Sequence, residues 1–161
     1  MSVTNTKKRK PINKKTRESV YALCGGHCAY CGKEITIKEM QVDHYLSHDY
    51  GDIYANGKGE IDSEDNYLPA CRSCNYRKSS GHLEFFRASV SRLHSVLMRD
   101  SVTYRDAVRF EQVKPNEHVQ IFYFEAIGVR IPAMEWDQEI REMYHKEKFK
   151  DGEAAQGEVK A

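Results

Sequence analysis

Two Cys-x-x-Cys pairs, Cys28/Cys31 and Cys71/Cys74, constrain this 161-residue chain more than any other feature. One such pair suits a redox dithiol, but two supply four thiolates, the number that a closed tetrahedral zinc site takes. Gly32, directly after the first pair, lets the chain turn tightly and aim backbone N–H groups at sulfur. The segment Asn75-Tyr76-Arg77-Lys78 after the second pair is helix-compatible, which places those thiolates near a helix N-terminus, where negative charge is favoured. The competing readings are two disulfides, or a redox protein that cycles Cys28 and Cys31. The opening Met1-Ser2-Val3-Thr4-Asn5-Thr6 contains no apolar signal segment, which favours a reducing compartment and hence metal. Cys24 and His27 are close enough in sequence to displace a ligand, yet Cys24 reads better as a small core residue of the preceding helix.

A chain of this length holds one ordinary domain, or a small zinc-dependent module with an added helical layer. Its longest apolar run, Ile121-Phe122-Tyr123-Phe124, is too short to cross a membrane, so a soluble, cytoplasmic protein is expected. Formal net charge is only +1, but residues 1–40 carry nine Lys/Arg against three Asp/Glu, and residues 41–81 carry four against seven. Between Lys7 and Arg17 there is little to bury, so residues 1–15 are expected to form a flexible basic arm. Lys7, Lys8, Arg9, Lys10, Lys14 and Lys15 would then gain counterion release on a nucleic-acid backbone; a merely solvated tail is the bland alternative. The acidic middle segment suits carboxylates gathered near a divalent cation.

Apolar periodicity predicts a helix over Thr16–Cys24 with Thr16 as its N-cap, ended by Gly25-Gly26, and a strand over Met40–His44. Residues 45–62, punctuated by glycine, read as a loop or hairpin insertion. Leu83, Phe86, Val90, Leu93 and Leu97 predict one amphipathic helix from about Leu83 to Arg99, and Ala107, Phe110 and Val113 a shorter one. Gln120–Glu125 reads as a strand or a buried helical turn, and Trp136, Ile140, Met143 and Tyr144 mark a last helix. The expected organisation is a zinc-containing module over 16–82, a mainly helical extension over 83–149 packed on it, and a disordered tail over 150–161.

An Asp43-His44 dipeptide at a strand end, Asn66, and then Cys71-x-x-Cys74-Asn75-x-x-Lys78 form an order that resembles the HNH endonuclease family. The resemblance runs from Cys28 to Lys78, with His44 at the first H, Asn66 at the N, and Asn75 at the last H, where Asn is a common variant. It implies an α+β fold: a zinc-stabilised ββα-metal (HNH/His-Me finger) core with additional C-terminal helices. It also implies metal-dependent hydrolysis of DNA phosphodiester bonds, by nicking or double-strand cleavage, in a family found in phages, mobile elements and restriction systems. Asn66 would orient the strand that carries the base.

Phosphodiester hydrolysis needs a base, a cation and stabilisation of the leaving oxygen. His44 is the natural base, because imidazole titrates near working pH. Asp43 and Asn75 offer the oxygen ligands that a catalytic Mg²⁺ or Mn²⁺ prefers over imidazole-seeking metals, while Zn²⁺ on Cys28, Cys31, Cys71 and Cys74 serves as scaffold. Lys78, three residues from Asn75 on a helix, together with Arg77, is expected to reach a phosphate. Adjacent strand residues face opposite ways, so Asp43 and His44 share a site only where the strand ends or twists. His48 lies in the loop and could touch DNA or metal, but reads better as a solvated loop residue, and His82, His94, His118 and His145 read as structural or exposed. The alternative to a nuclease is a non-catalytic zinc-module DNA-binding or regulatory protein, which needs neither the divalent ion nor His44. In either case the C-terminal helices are the candidate surface for a homodimer or protein partner.

Overall fold

Asn13, in extended backbone, accepts a hydrogen bond from the Thr16 N–H at 2.9 Å and so starts α1 (Lys14–Leu23). The computed structural model describes residues 11–48, 60–115 and 120–138. The cap lies one turn before the expected one: Thr16 sits inside the first turn, and its hydroxyl instead donates to Glu64 at 2.6 Å. Lys14 and Lys15, assigned from sequence to the basic arm, are therefore helical, while Lys7, Lys8, Arg9 and Lys10 lie outside the described residues. Arg17 is occupied internally, donating to the carbonyls of Ile37 and Met40 at 2.9 and 2.8 Å. Gly25 and Gly26 end the helix with φ of +56° and +80°; a Cβ on Gly26 would stand 2.8 Å from the Tyr21 hydroxyl, so both conformation and space call for glycine there.

Two short strands follow, β1 (Gln41–His44) and β2 (Tyr67–Ala70), paired antiparallel with Asp43 opposite Leu68 and His44 opposite Tyr67. Every residue of β2 is buried. Its Pro69 cannot donate to a ladder, but its carbonyl accepts from the Ala29 N–H at 2.7 Å, which fastens the first cysteine turn to the sheet. A single 3-10 turn, Glu64–Asn66, leads into β2. Asn66 is fully buried: its amide oxygen accepts from the Leu46 N–H at 2.9 Å, and its amide nitrogen donates to the carbonyls of Leu46 and Ile61 at 2.9 and 3.0 Å. The residues just beyond His44 are thereby tied to the turn before β2.

Directly after β2, Cys71 caps α2 (Arg72–Lys78), giving the β–β–α order of the expected core. The sulfurs of Cys28, Cys31, Cys71 and Cys74 all lie within 4.8 Å of one another, and Cys31 Sγ is 3.9 Å from Cys71 Sγ. Tetrahedral zinc with Zn–S bonds of ~2.3 Å spaces its sulfurs by ~3.8 Å, so the cluster has the dimensions such an ion needs. The hydrogen bond from Cys74 holds the Cys28 thiol down at about 4 against the opposing effect of burial, and the same bond pushes the Cys74 thiol up. Cys24 is excluded from the cluster. It is buried in the core, and burial pushes its thiol up to about 11.

The C-terminal part divides in a way the periodicity did not foretell. The single helix expected from Leu83 to Arg99 breaks at Arg92 (φ −85°, ψ 0°) into α3 (Leu83–Ser91) and α4 (Leu93–Asp100), because α4 turns to pack against α5 (Val102–Arg109) and not along the core. Neither α4 nor α5 has a fully buried residue. In contrast, α3 and residues 120–138 belong to the core itself. Tyr30 stands edge-on to Phe86 of α3 and to Phe122, at 5.3 Å from each, and Phe86 stacks on Phe122 at 5.1 Å. The N–H groups of Tyr123 and Phe124 donate to the carbonyls of Tyr30 and Ala29, so Gln120–Glu125 resolves as a helical turn, α6 (Tyr123–Ala126), laid on the first cysteine turn. Arg87 of α3 secures it through Glu125, at 2.5 and 2.8 Å, and through the face of Phe122 at 4.6 Å. A last helix, α7 (residues 132–138), brings buried Asp137 within 2.8 Å of His82. Ile140, Met143, Tyr144, His118, His145 and the tail expected at 150–161 lie outside the described residues.

Asn66→Ala removes three buried hydrogen bonds and leaves the Leu46 N–H without its acceptor; it should cost about 3 kcal/mol in urea denaturation, at one to a few kcal/mol per orphaned group. Stripping metal with a thiolate-competent chelator, or the Cys71→Ser change, should lower Tm by roughly 10 °C or more, since about 1 kcal/mol moves Tm by 2–4 °C in a chain of this size. An unchanged transition after complete metal removal would show that the four sulfurs hold nothing the fold depends on.

Candidate functional site

A cleft of about 780 Å³ opens between the end of β1, the loop after it and α2. Asp43, His44, Ser47, His48, Asp62, Asn75, Tyr76 and Arg77 are among its lining residues. β1 ends at His44, and the two neighbouring side chains part there: Asp43 turns into the core, 5 % exposed, while His44 stays half-buried at the wall of the cleft. Tyr67, opposite His44 in register, meets its ring edge-on at 4.9 Å and fixes one side of the imidazole.

On the core side, the Asp43 carboxylate accepts hydrogen bonds from the Tyr30 hydroxyl and from Lys78 Nζ, the latter 3.1 Å from Oδ2. Burial pushes the Asp43 carboxyl above its ordinary range, against the pull of Lys78 and Tyr30, and burial together with Asp43 drives the Tyr30 phenol well up. Lys78 also donates to the His44 carbonyl at 2.7 Å, and its side chain is 0 % exposed. The expectation that Lys78 reaches a phosphate is therefore corrected. Its chain runs inward because Asp43 and the His44 carbonyl stand there as acceptors for a buried ammonium.

On the cleft side, His44 Nε2 lies 2.9 Å from Asp62 Oδ1, and His48 Nε2 lies 3.2 Å from the same oxygen. The two imidazole rings approach to 4.7 Å at a tilt of 54°. Burial pushes the His44 imidazole below its ordinary value, with the Asp62 hydrogen bond opposing. Since a carboxylate only accepts, both rings turn N–H toward Asp62, and for neutral His44 the lone pair is then on Nδ1. Ser47 adds a buried hydroxyl to the lining that has no partner among the described residues.

The structure thus brings Asp43, His44, Asn75 and Arg77 to one cleft, and sets Asn66 and Lys78 behind it as buried supports. Asp62 was missed. It lies in the run Glu60-Ile61-Asp62-Ser63-Glu64-Asp65, which reads as a solvated acidic loop, and its only sequence signal is its place four residues before Asn66. His48, read chiefly as a solvated loop residue with DNA or metal contact as the alternative, also belongs to the lining. Arg77 stays at the rim, where it donates to the Ser89 hydroxyl at 3.3–3.4 Å, and Tyr76 beside it is 86 % exposed. The cleft also touches Ile12, just before α1.

The donor chemistry sorts into two sets. Asp43 and Asn75 offer hard oxygens of the kind that suit Mg²⁺ or Mn²⁺, and Lys78 sits against Asp43. The four sulfurs offer the soft set that suits zinc. No helix among the described residues is long and apolar enough to cross a membrane.

No curated protein matches the chain. Among solved structures it is similar to the Type II-C Cas9 enzyme from Actinomyces naeslundii, at 22 % identity and a TM-score of 0.39, a likeness that covers 51 % of this chain and 9 % of that one. A family model described as HNH endonuclease matches residues 28–81, the stretch that holds the four cysteines, both strands, α2 and the residues from β1 and α2 that line the cleft. Residues 28–81 of this chain are therefore an HNH endonuclease domain.

Proposed function

We propose that the chain is a metal-dependent endonuclease that hydrolyses phosphodiester bonds in DNA, with His44 as its general base. The observation that carries this reading is the position of His44: at the end of β1, on the wall of an open cleft shared with Asp43 and Asn75, inside the matched domain. Asp62 takes the N–H of Nε2, so the lone pair of Nδ1 is left to accept the proton of an attacking water. Partial burial lowers the imidazole's own affinity for a proton and keeps it neutral, and therefore basic, at neutral pH. Asn66 holds the base indirectly by fastening residues 45 and 46, and Tyr67 limits the swing of the ring.

Asp43 and Asn75 would hold a divalent ion, which when bound supplies charge neutralisation at a phosphate oxygen. Tyr30 keeps the Asp43 carboxylate aimed while Lys78 neutralises it in the ion's absence. Arg77 at the rim is placed for a phosphate of the bound strand, and Lys14 and Lys15 at the start of α1, with Lys7, Lys8, Arg9 and Lys10 before them, would add salt-sensitive affinity for the backbone. The domain organisation that fits this reading is a nuclease module completed by α3 and residues 120–138, with α4 and α5 as an appended pair.

His44→Ala should slow relaxation of supercoiled plasmid in Mg²⁺ by at least ~100-fold while leaving Tm and the zinc held by the four cysteines unchanged. Retained cutting would remove His44 from the chemistry; absence of Mg²⁺-dependent cutting by the unaltered protein, with DNA binding intact, would favour the non-catalytic binder. Lys78→Met leaves Asp43 buried without its cation and should cost about 3–5 kcal/mol in divalent-free buffer. Saturating Mg²⁺ should restore a measurable part of that loss in thermal denaturation, and failure to restore any would argue against Asp43 as a ligand.

A further inference from the structure

We propose that His44, His48 and Asp62 form a second transition-metal site, with Zn²⁺ as its best-matched ion, and that filling it silences the base at His44. The nitrogens and the carboxylate oxygen offered by these three residues lie within 4.8 Å of one another. Both Nε2 atoms converge on one Asp62 oxygen, at 2.9 and 3.2 Å, from rings tilted by 54° and not stacked flat. Two imidazoles and one carboxylate are a recognised three-ligand set for zinc with an open fourth position, and imidazole nitrogen selects late first-row ions over Mg²⁺. The position is open on the cleft side, where the buried Ser47 hydroxyl has no partner among the described residues. The set is distinct from the four sulfurs in donor type, and from Asp43 and Asn75 in residues.

The consequence for His44 follows from proton placement. Neutral imidazole carries one proton on two nitrogens. With Nε2–H held by Asp62, the lone pair on Nδ1 is free to take a proton. An ion on Nε2 displaces that proton, and neutral imidazole then carries its proton on Nδ1, where no lone pair remains for the water. This silencing half rests on His44 as the base; the site itself does not.

Metal-depleted protein titrated with Co²⁺ separates the two. The cysteine centre gives an intense thiolate-to-cobalt charge-transfer band, and the proposed site gives visible d–d bands without one. Two equivalents of Co²⁺ should bind the unaltered protein, and zinc analysis should likewise find two ions per chain. His48→Ala and Asp62→Asn should each lose the second equivalent and keep the charge-transfer band at full strength, while Cys31→Ser should weaken that band and keep the second equivalent. A single equivalent in the unaltered protein, with only the charge-transfer spectrum, overturns the site whatever the protein does to DNA. In Mg²⁺-supported plasmid cleavage, each protein compared with its own zinc-free rate, His48→Ala should need at least tenfold more free Zn²⁺ for half-inhibition. Equal sensitivity, or full cutting with two equivalents bound, overturns the silencing. If two equivalents bind but no protein cuts under any condition, the site stands and the nuclease reading falls.

Discussion

The rest of the structure depends on four cysteine sulfurs held within 4.8 Å of one another. Cys31 and Cys71 are 40 residues apart, and the chain between them contains β1, the cleft loop and β2. A two-stranded sheet of four residues a side has too little buried surface to persist alone. Closing the loop at its ends with a clamp limits the entropy the open chain would otherwise regain, and the knuckle so formed becomes the floor on which the aromatic cluster of Tyr30, Phe86 and Phe122 is built. Core and cleft thus share one support.

From that support the cleft inherits its two-sided character. A strand sends neighbouring side chains to opposite faces, and at the end of β1 this separates Asp43 from His44. One is drawn inward to Tyr30 and Lys78, the other outward to Asp62 and His48. A buried ion pair contributes little net stability, because desolvation offsets attraction, but it is costly to break one partner at a time. The Asp43–Lys78 pair therefore fixes the carboxylate in place beside the cleft, where an exposed carboxylate would be free to wander.

Some of this was legible from residues alone. The cysteine pairs announced their cluster because chelation demands donors at short, regular spacing, and Gly25-Gly26 announced the end of α1 because positive φ is glycine's province. Strand alternation required the strand to end or twist at His44 if Asp43 and His44 were to meet in one site, and β1 ends at His44. The break at Arg92 was hidden, since the apolar pattern of Val90, Leu93 and Leu97 is the same whether one helix runs on or two meet at an angle. Asp62 was hidden inside an acidic loop run, where nothing in composition distinguishes a carboxylate that meets two histidines from one that meets water.

What the sequence by itself determined is the donor sets and the order of elements that carry them, because metal-ligand spacing and strand or helix periodicity are local properties of a few consecutive residues. Only the tertiary structure decided which of those residues face the cleft and which are consumed by the core. Lys78 meets Asp43 across 35 residues and Asp62 meets His44 across 18, and burial and ion pairing of that kind arise between segments whose approach no local spacing records.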